Sequence, residues 1–134
     1  MLSSTYHDEK LISIAVADDS LAIEISAQNK KIIIKVNELE KLRVTDFKEG
    51  NIINVAQVIY AGGAGTEGMV RSLLKYAYEV DDADLERNTE LSSFLDKKLM
   101  DYENGLIVIL ELEPSYGAYL VAIGGSILEM DSPS

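Results

Sequence analysis

The sequence predicts an α+β domain: one antiparallel sheet of about five strands, in the chain order β-β-β-α-α-α-β-β, with the helices packed on one face. Three observations carry this. Three consecutive segments near the start alternate aliphatic and polar residues with period two. Segments in the middle repeat apolar residues with the helical period. An apolar hairpin with a Pro-to-Gly turn follows them.

The first strands are Leu11 to Ala17, Ser20 to Ala27 and Lys31 to Val36. Each presents one aliphatic row: Ile12, Ile14, Val16, then Leu21, Ile23, Ile25, then Ile32, Ile34, Val36. Asp18-Asp19 and Gln28-Asn29 are short-turn chemistry, so the three form a meander. A short extended piece follows around Leu42 to Val44.

The next stretch, NIINVAQVIY, reads as a helix spanning Phe47 to Ala61. On a helical wheel Val55, Ile59, Ile52, Ala56, Tyr60 and Ile53 share an arc of about 160°, with Asn51, Asn54 and Gln57 opposite. As a strand, both faces would be mostly apolar and each would bury an amide. Asp46 and Glu49 stand at capping-box spacing. Gly50 is the weak point, and Gly62 takes the left-handed C-cap position.

Thr66 is the N-cap of a second helix, with Glu67 in its first turn and Val70, Leu73, Leu74 and Ala77 inward, ending near Val80. Thr89 to Asn104 forms a third, with Leu91, Phe94, Leu95, Leu99 and Tyr102 inward and Gly105 closing it. Leu106 to Glu113 and Gly117 to Gly124 make the last hairpin around Pro114-Ser115-Tyr116-Gly117. Ile127 to Met130 adds a short strand. Residues 1–9 and 131–134 read as flexible ends of one domain spanning 1–134.

Composition narrows the chemistry. The 134 residues carry a net charge of −11 and no cysteine. That excludes disulfides, thiol nucleophiles, cysteine-held zinc and iron–sulfur clusters, and it suits a reducing compartment. No stretch reaches the roughly 18 apolar residues of a membrane helix, and MLSSTYHDEK lacks the features of a signal peptide, so the expected location is cytoplasmic. Residues 29–48 hold six bases against three acids, while residues 49–134 hold fifteen acids against five bases. Most of this surface repels a nucleic-acid backbone, and the Lys-rich stretch lacks interleaved aromatics. Neither a membrane nor a nucleic acid is expected as partner.

Two motifs raise specific chemistry. The first is IYAGGAGTEGMV, where GAGTEG has the spacing of dinucleotide-binding turns. Gly62, Gly63, Gly65, Thr66 and Gly68 would cradle phosphate with backbone N–H groups at a helix N-terminus. That site requires a preceding strand and a parallel strand within a unit of about 30 residues. Here the predicted preceding element is a helix, the next strand begins about 40 residues on, no Gly-Lys-[Ser/Thr] follows, and Glu67 would repel phosphate. An interhelical bend is the simpler reading. A helix before Gly62 favours the bend, and a strand favours the ligand.

The second is EVDDADLERNTE. Asp82, Asp84, Glu86 and Glu90 match calcium-loop positions 1, 3, 5 and 9, but Arg87 replaces the glycine at 6 and Ser93 the glutamate at 12. A solvated connection explains the acids as well. The single histidine, His7, lies near the start, so nucleophilic triads and imidazole acid–base work lack parts. No cofactor is expected.

The last hairpin is apolar on both faces, unlike a half-solvated sheet. With helices on one face, Ile33, Ile107, Ile109, Tyr119, Val121 and Ile123 would form an apolar patch on the other. A symmetric homodimer is the commonest way to cover one. The functional expectation is therefore a non-enzymatic homodimeric interaction or regulatory module, with an acidic surface open to a basic protein. The alternative is a nucleotide or phosphate binder using residues 62–68.

Overall fold

The computed structural model describes residues 1–132. The alternating segments form β1 (Lys10–Ala17), β2 (Ser20–Ala27) and β3 (Lys30–Asn37). Gln28 and Asn29 both take positive φ, 51° and 64°, as a two-residue hairpin turn requires. β4 (Lys41–Thr45) and β5 (Asn51–Ile59) follow, then α1 (Glu67–Ala77), α2 (Asp82–Arg87) and α3 (Thr89–Glu103), then β6 (Val108–Tyr116), β7 (Tyr119–Gly124) and β8 (Ser126–Ser132). The fold is α+β with one antiparallel sheet, but the sheet has eight strands where about five were expected, in the order β4-β7-β6-β5-β1-β2-β3-β8.

The main correction is at residues 47–61, expected as a helix. They contain β5, flanked by β6 and β1. Both its faces are covered, so both are apolar. Ile53 and Ala56 face one core and Ile59 the other. Irregularities at Ile52/Ile53 and Ile53/Val55 re-phase the strand, which blurs its period. Two of the three amides that argue for a helix have partners, and the third, Asn54, is only half-buried. Asn51, 2% exposed, accepts from the N–H groups of Lys48 and Ala118 at 2.8 and 3.0 Å and donates to the Lys48 carbonyl at 2.5 Å. Gln57 donates to Glu111 at 2.6 Å. Gly62, at φ 84°, ends a strand rather than capping a helix.

The sheet rolls onto itself. The β3–β8 ladder ends at Asn37 and Ser126, and the β4–β7 ladder begins at Lys41 and Ile123. Between them Gly125 N–H donates to the Asn37 carbonyl at 2.9 Å, and Glu40 N–H to the Ile123 carbonyl at 2.8 Å. β3–β4 and β7–β8 are thus two bent strands paired through one corner. Gly124 sits in that corner, where a Cβ would lie 2.5 Å from Val36 Cγ1 and 2.8 Å from the Asn37 carbonyl oxygen.

Rolling creates two cores. Leu21, Ile23, Ile25, Ile32, Ile34 and Val36 pack with Leu110, Leu112, Leu120 and Ala122 inside the roll. Val70, Leu73, Leu74, Ala77, Leu95, Leu99 and Tyr102 of the helices cover Ile59, Ile107, Ile109, Val121 and Ile123. The last hairpin is a middle layer, apolar on both faces because each meets a core.

The ends also differ from expectation. Residues 5–9 run along β5, with Ala56 N–H on the Thr5 carbonyl, Asp8 N–H on the Ile53 carbonyl and Ile53 N–H on the Glu9 carbonyl, at 2.8, 2.8 and 2.9 Å. The Tyr6 ring is buried in the rolled core, which anchors a segment expected to be loose. Asp131 and Ser132 extend β8, and residues 133–134 lie outside the described residues.

Candidate functional site

The geometry draws attention to an element that sequence reading passed over, the outer edge of β1. On one side β1 pairs with β2 along its length, with an irregularity between Leu11 and Ser13. On the other, β5 pairs with Lys10 and Leu11 alone, because β5 begins at Asn51. From Ile12 to Ala17 that side of β1 has no paired strand among the described residues. Ile14 and Val16 stand opposite Ile23 and Leu21, so they belong to the core-side face, yet Val16 is 54% exposed. Ile12 is 46% exposed.

Beside this edge lies a cleft of about 510 Å³ lined by Lys10, Leu11, Ile12 and the β4–β5 loop from Phe47 to Asn51. Phe47 is exposed, and Lys48 lies 5.4 Å from the Tyr116 ring centre. The segment from Leu11 to Ala17 carries no charge, whereas natural edge strands are usually guarded by one. β8 illustrates the guarded case. Its Glu129 accepts from Ser3 N–H at 2.9 Å, from the Ser3 hydroxyl at 3.0 Å and from the Tyr6 hydroxyl. Burial, followed by that bond to Glu129, pushes the Tyr6 phenol up to about 12.

The glycine loop is drawn together by its location but shaped for packing. A strand does precede it, which is the context a phosphate loop needs. The rest of that context is missing, since the neighbours of β5 are antiparallel. Gly65 lies against hydrophobic residues: a Cβ there would stand 2.8 Å from Ile59 Cγ2 and 3.2 Å from Met69 Cε. Gly63 closes a turn by donating its N–H to the Tyr60 carbonyl at 3.0 Å. Thr66 caps α1 by accepting from Met69 N–H at 3.2 Å, as its sequence position predicts. Gly68 is in α1 with open space around it. Each of five surface clefts is lined by residues outside this loop.

The acidic run forms α2 rather than a metal loop. Asp84 is engaged in a capping box with Asp81. Asp82 accepts from Lys75 Nζ at 2.5 Å, and that bond holds its carboxyl below the usual carboxylate range. Glu86 is exposed on the same short helix. Among the described residues no group of three or more His, Cys, Asp or Glu is placed to hold a metal ion.

The expected interface disperses. Ile107, Ile109, Val121 and Ile123 are buried under α1 and α3, which cover the face thought to be open. Tyr119 is half-buried, and its hydroxyl donates to Glu111 at 2.6 Å. Ile33 lies opposite Met130 on the other surface of the roll, half-buried. Phe94, expected inward, is exposed and packs edge-on against Tyr78 at 4.9 Å.

A polar cluster that sequence reading missed borders α1. Glu111 accepts from both Gln57 and Tyr119, Tyr119 meets the Tyr76 ring edge-on at 4.9 Å, and the Arg43 guanidinium lies 4.1 Å from the Tyr76 ring centre. Arg43 also donates to the Tyr76 carbonyl at 2.8 Å. The signal was present as Glu111, a lone acid between Leu110 and Leu112. The cluster is joined by its own hydrogen bonds and links β5, β6, β7 and β4 to α1.

His7 contacts the Asn54 carbonyl at 3.0 Å and Asp8 at 3.4 Å. No helix among the described residues is long and apolar enough to cross a membrane. Comparison with protein-family models, curated proteins and solved structures finds no match.

Proposed function

We propose that the protein is a non-enzymatic interaction module that binds a partner chain by strand addition along the open side of β1. A single observation carries this reading: from Ile12 to Ala17 one side of β1 has no strand paired to it among the described residues, with Ile12 and Val16 exposed and Ile12 lining a cleft. An added strand would gain main-chain hydrogen bonds and cover both side chains, as strand-addition complexes do. The net charge of −11 leaves the remaining surface suited to a basic protein. A cytoplasmic setting belongs to the same reading and is supported by the absence of cysteine.

One observation favours a second reading, nucleotide or phosphate binding at residues 62–68: a strand leads into the loop and a helix leads out. One experiment separates the two. Protein purified from its own host is analysed by native mass spectrometry beside Val16→Lys, which places on β1 the charge that natural edges carry. Retained protein mass that Val16→Lys loses supports strand addition. The same protein mass retained by both, or none in the wild type, overturns it. A nucleotide-sized adduct alone does so in favour of the loop.

A further inference from the structure

We infer that the strand added to β1 is β1 of a second copy of this chain, paired antiparallel about a two-fold axis at Ala15. The inference rests on the strand-addition reading above and names its partner.

Parity fixes the choice of register. Ile14 and Val16 lie on the core-side face, while Ser13, Ala15 and Ala17, opposite Glu24, Ala22 and Ser20, lie on the outer face. Directly opposed residues of an antiparallel pair share a face, so only registers that oppose like parities bring apolar side chains together. With the axis at Ala15, Ile14 meets the partner's Val16 and Val16 meets the partner's Ile14. Ser13 to Ala17 then pair along all of the open stretch but Ile12. Moving the axis to Ile14 would drive the partner's Asp18 onto Lys10, where Ile52 of β5 is already paired. Moving it to Val16 would leave Ser13 and Ile12 uncovered.

Charge selects the same partner. In the Ala15 register the partner's Asp18 arrives opposite Ile12, and its turn then carries Asp19 back toward its own β2, short of the Leu11–Asn51 pair, beside the cleft lined by Lys10, Lys48 and Glu49. Each copy offers two acids to a cleft that holds two bases and one acid, Glu49, a net attraction that the two-fold repeats. A chain with a net charge of −11 would otherwise resist self-association. Here the local complementarity opposes the global repulsion. The uncharged, β-prone run from Leu11 to Ala17 supplies the pairing surface.

The absence of cysteine makes a direct test possible. Ala15→Cys puts one thiol on each side of the axis, within the Cα separation a disulfide spans. The recombinant protein, free of host partners, is oxidised mildly, with Ser93→Cys on exposed α3 as the collision control. Ala15→Cys should give a disulfide-linked dimer much faster than the control. In the unmodified chain, Lys10→Glu should weaken dimerisation by about tenfold, because the contact becomes repulsive in both copies. Adding Asp19→Lys should restore it.

Equal crosslinking of the two cysteine variants, or a monomer at every concentration, overturns the inference. So does a charge swap that fails to rescue. If host-purified protein instead carries a different chain that Val16→Lys removes, the second copy is wrong and strand addition stands. If nothing is retained in either preparation, both fail.

Discussion

At the scale of single residues, Asn51 shows how a buried polar group can look wrong in sequence and be right in place. Its carboxamide serves the backbone of the β4–β5 loop and the N–H of Ala118 after the last turn, joining two segments 67 residues apart. Gly117 opposite, at φ 88°, has no room for a side chain, since a Cβ would stand 2.3 Å from Asn51 Oδ1. Asn51→Leu leaves the buried Ala118 N–H and the part-buried Lys48 N–H without acceptors, and the expected loss is about 2–3 kcal/mol. Gln57→Leu, at a half-buried position with one bond to Glu111, should cost about 1 kcal/mol. Urea denaturation of both variants checks the order; an equal loss would mean that Asn51 is not the anchor. Sequence showed Asn51 only as a polar residue in an apolar run. Its partners are distant in the chain, so nothing local distinguishes a buried, bonded amide from one on a wet helix face.

At the scale of elements, legibility followed the number of covered faces. β2 and β3 have one face in the rolled core, so their period two is plain; in β1 the irregularity between Leu11 and Ser13 buries Leu11 and leaves Ile12 and Val16 of the expected row exposed, though the bounds of all three strands fall within a residue or two of expectation. α1 and α3 show one apolar stripe and local caps, Thr66 and Asn88, and both were readable. β5 is covered on both faces and re-phased by irregular pairing, which removes the signal that separates a strand from a helix. The hairpin's two apolar rows are plain in the sequence, but nothing local distinguishes a second cover supplied by the chain's own roll from one supplied by another subunit. That roll turns on its corner. Gly124→Ala should cost about 1–3 kcal/mol, because the methyl meets backbone at the Asn37 carbonyl as well as Val36. Gly68→Ala, in α1 with open space around it, should instead gain about 0.5–1 kcal/mol. Thermal melting of the pair gives opposite signs if the corner is tight, and the same sign if it can yield.

At the scale of the whole molecule, two phenol–carboxylate pairs tie the layers from opposite sides. Tyr6 with Glu129 binds the first residues to β8 at the rolled core, and Tyr119 with Glu111 binds β7 to β6 beneath the helices. Burial, then the bond to Glu129, holds Tyr6 at about 12 against an ordinary value of 10.0. Burial, then the bond to Glu111, raises Tyr119 as well. The folded chain therefore keeps protons that the unfolded chain releases first. Their contribution is complete below pH 10 and is lost as pH rises toward 12 and beyond. The melting temperature should hold from neutrality to about pH 9 and then fall, with tyrosinate absorbance appearing together with unfolding rather than before it. Growing negative charge destabilises any acidic protein at high pH, so the fall alone decides nothing. Tyr6→Phe isolates the local effect, because general repulsion acts almost equally on both proteins. The variant should lose less stability than the wild type across that window, while Ser3 continues to donate to Glu129. Parallel curves would show that the Tyr6 proton is not held by the fold.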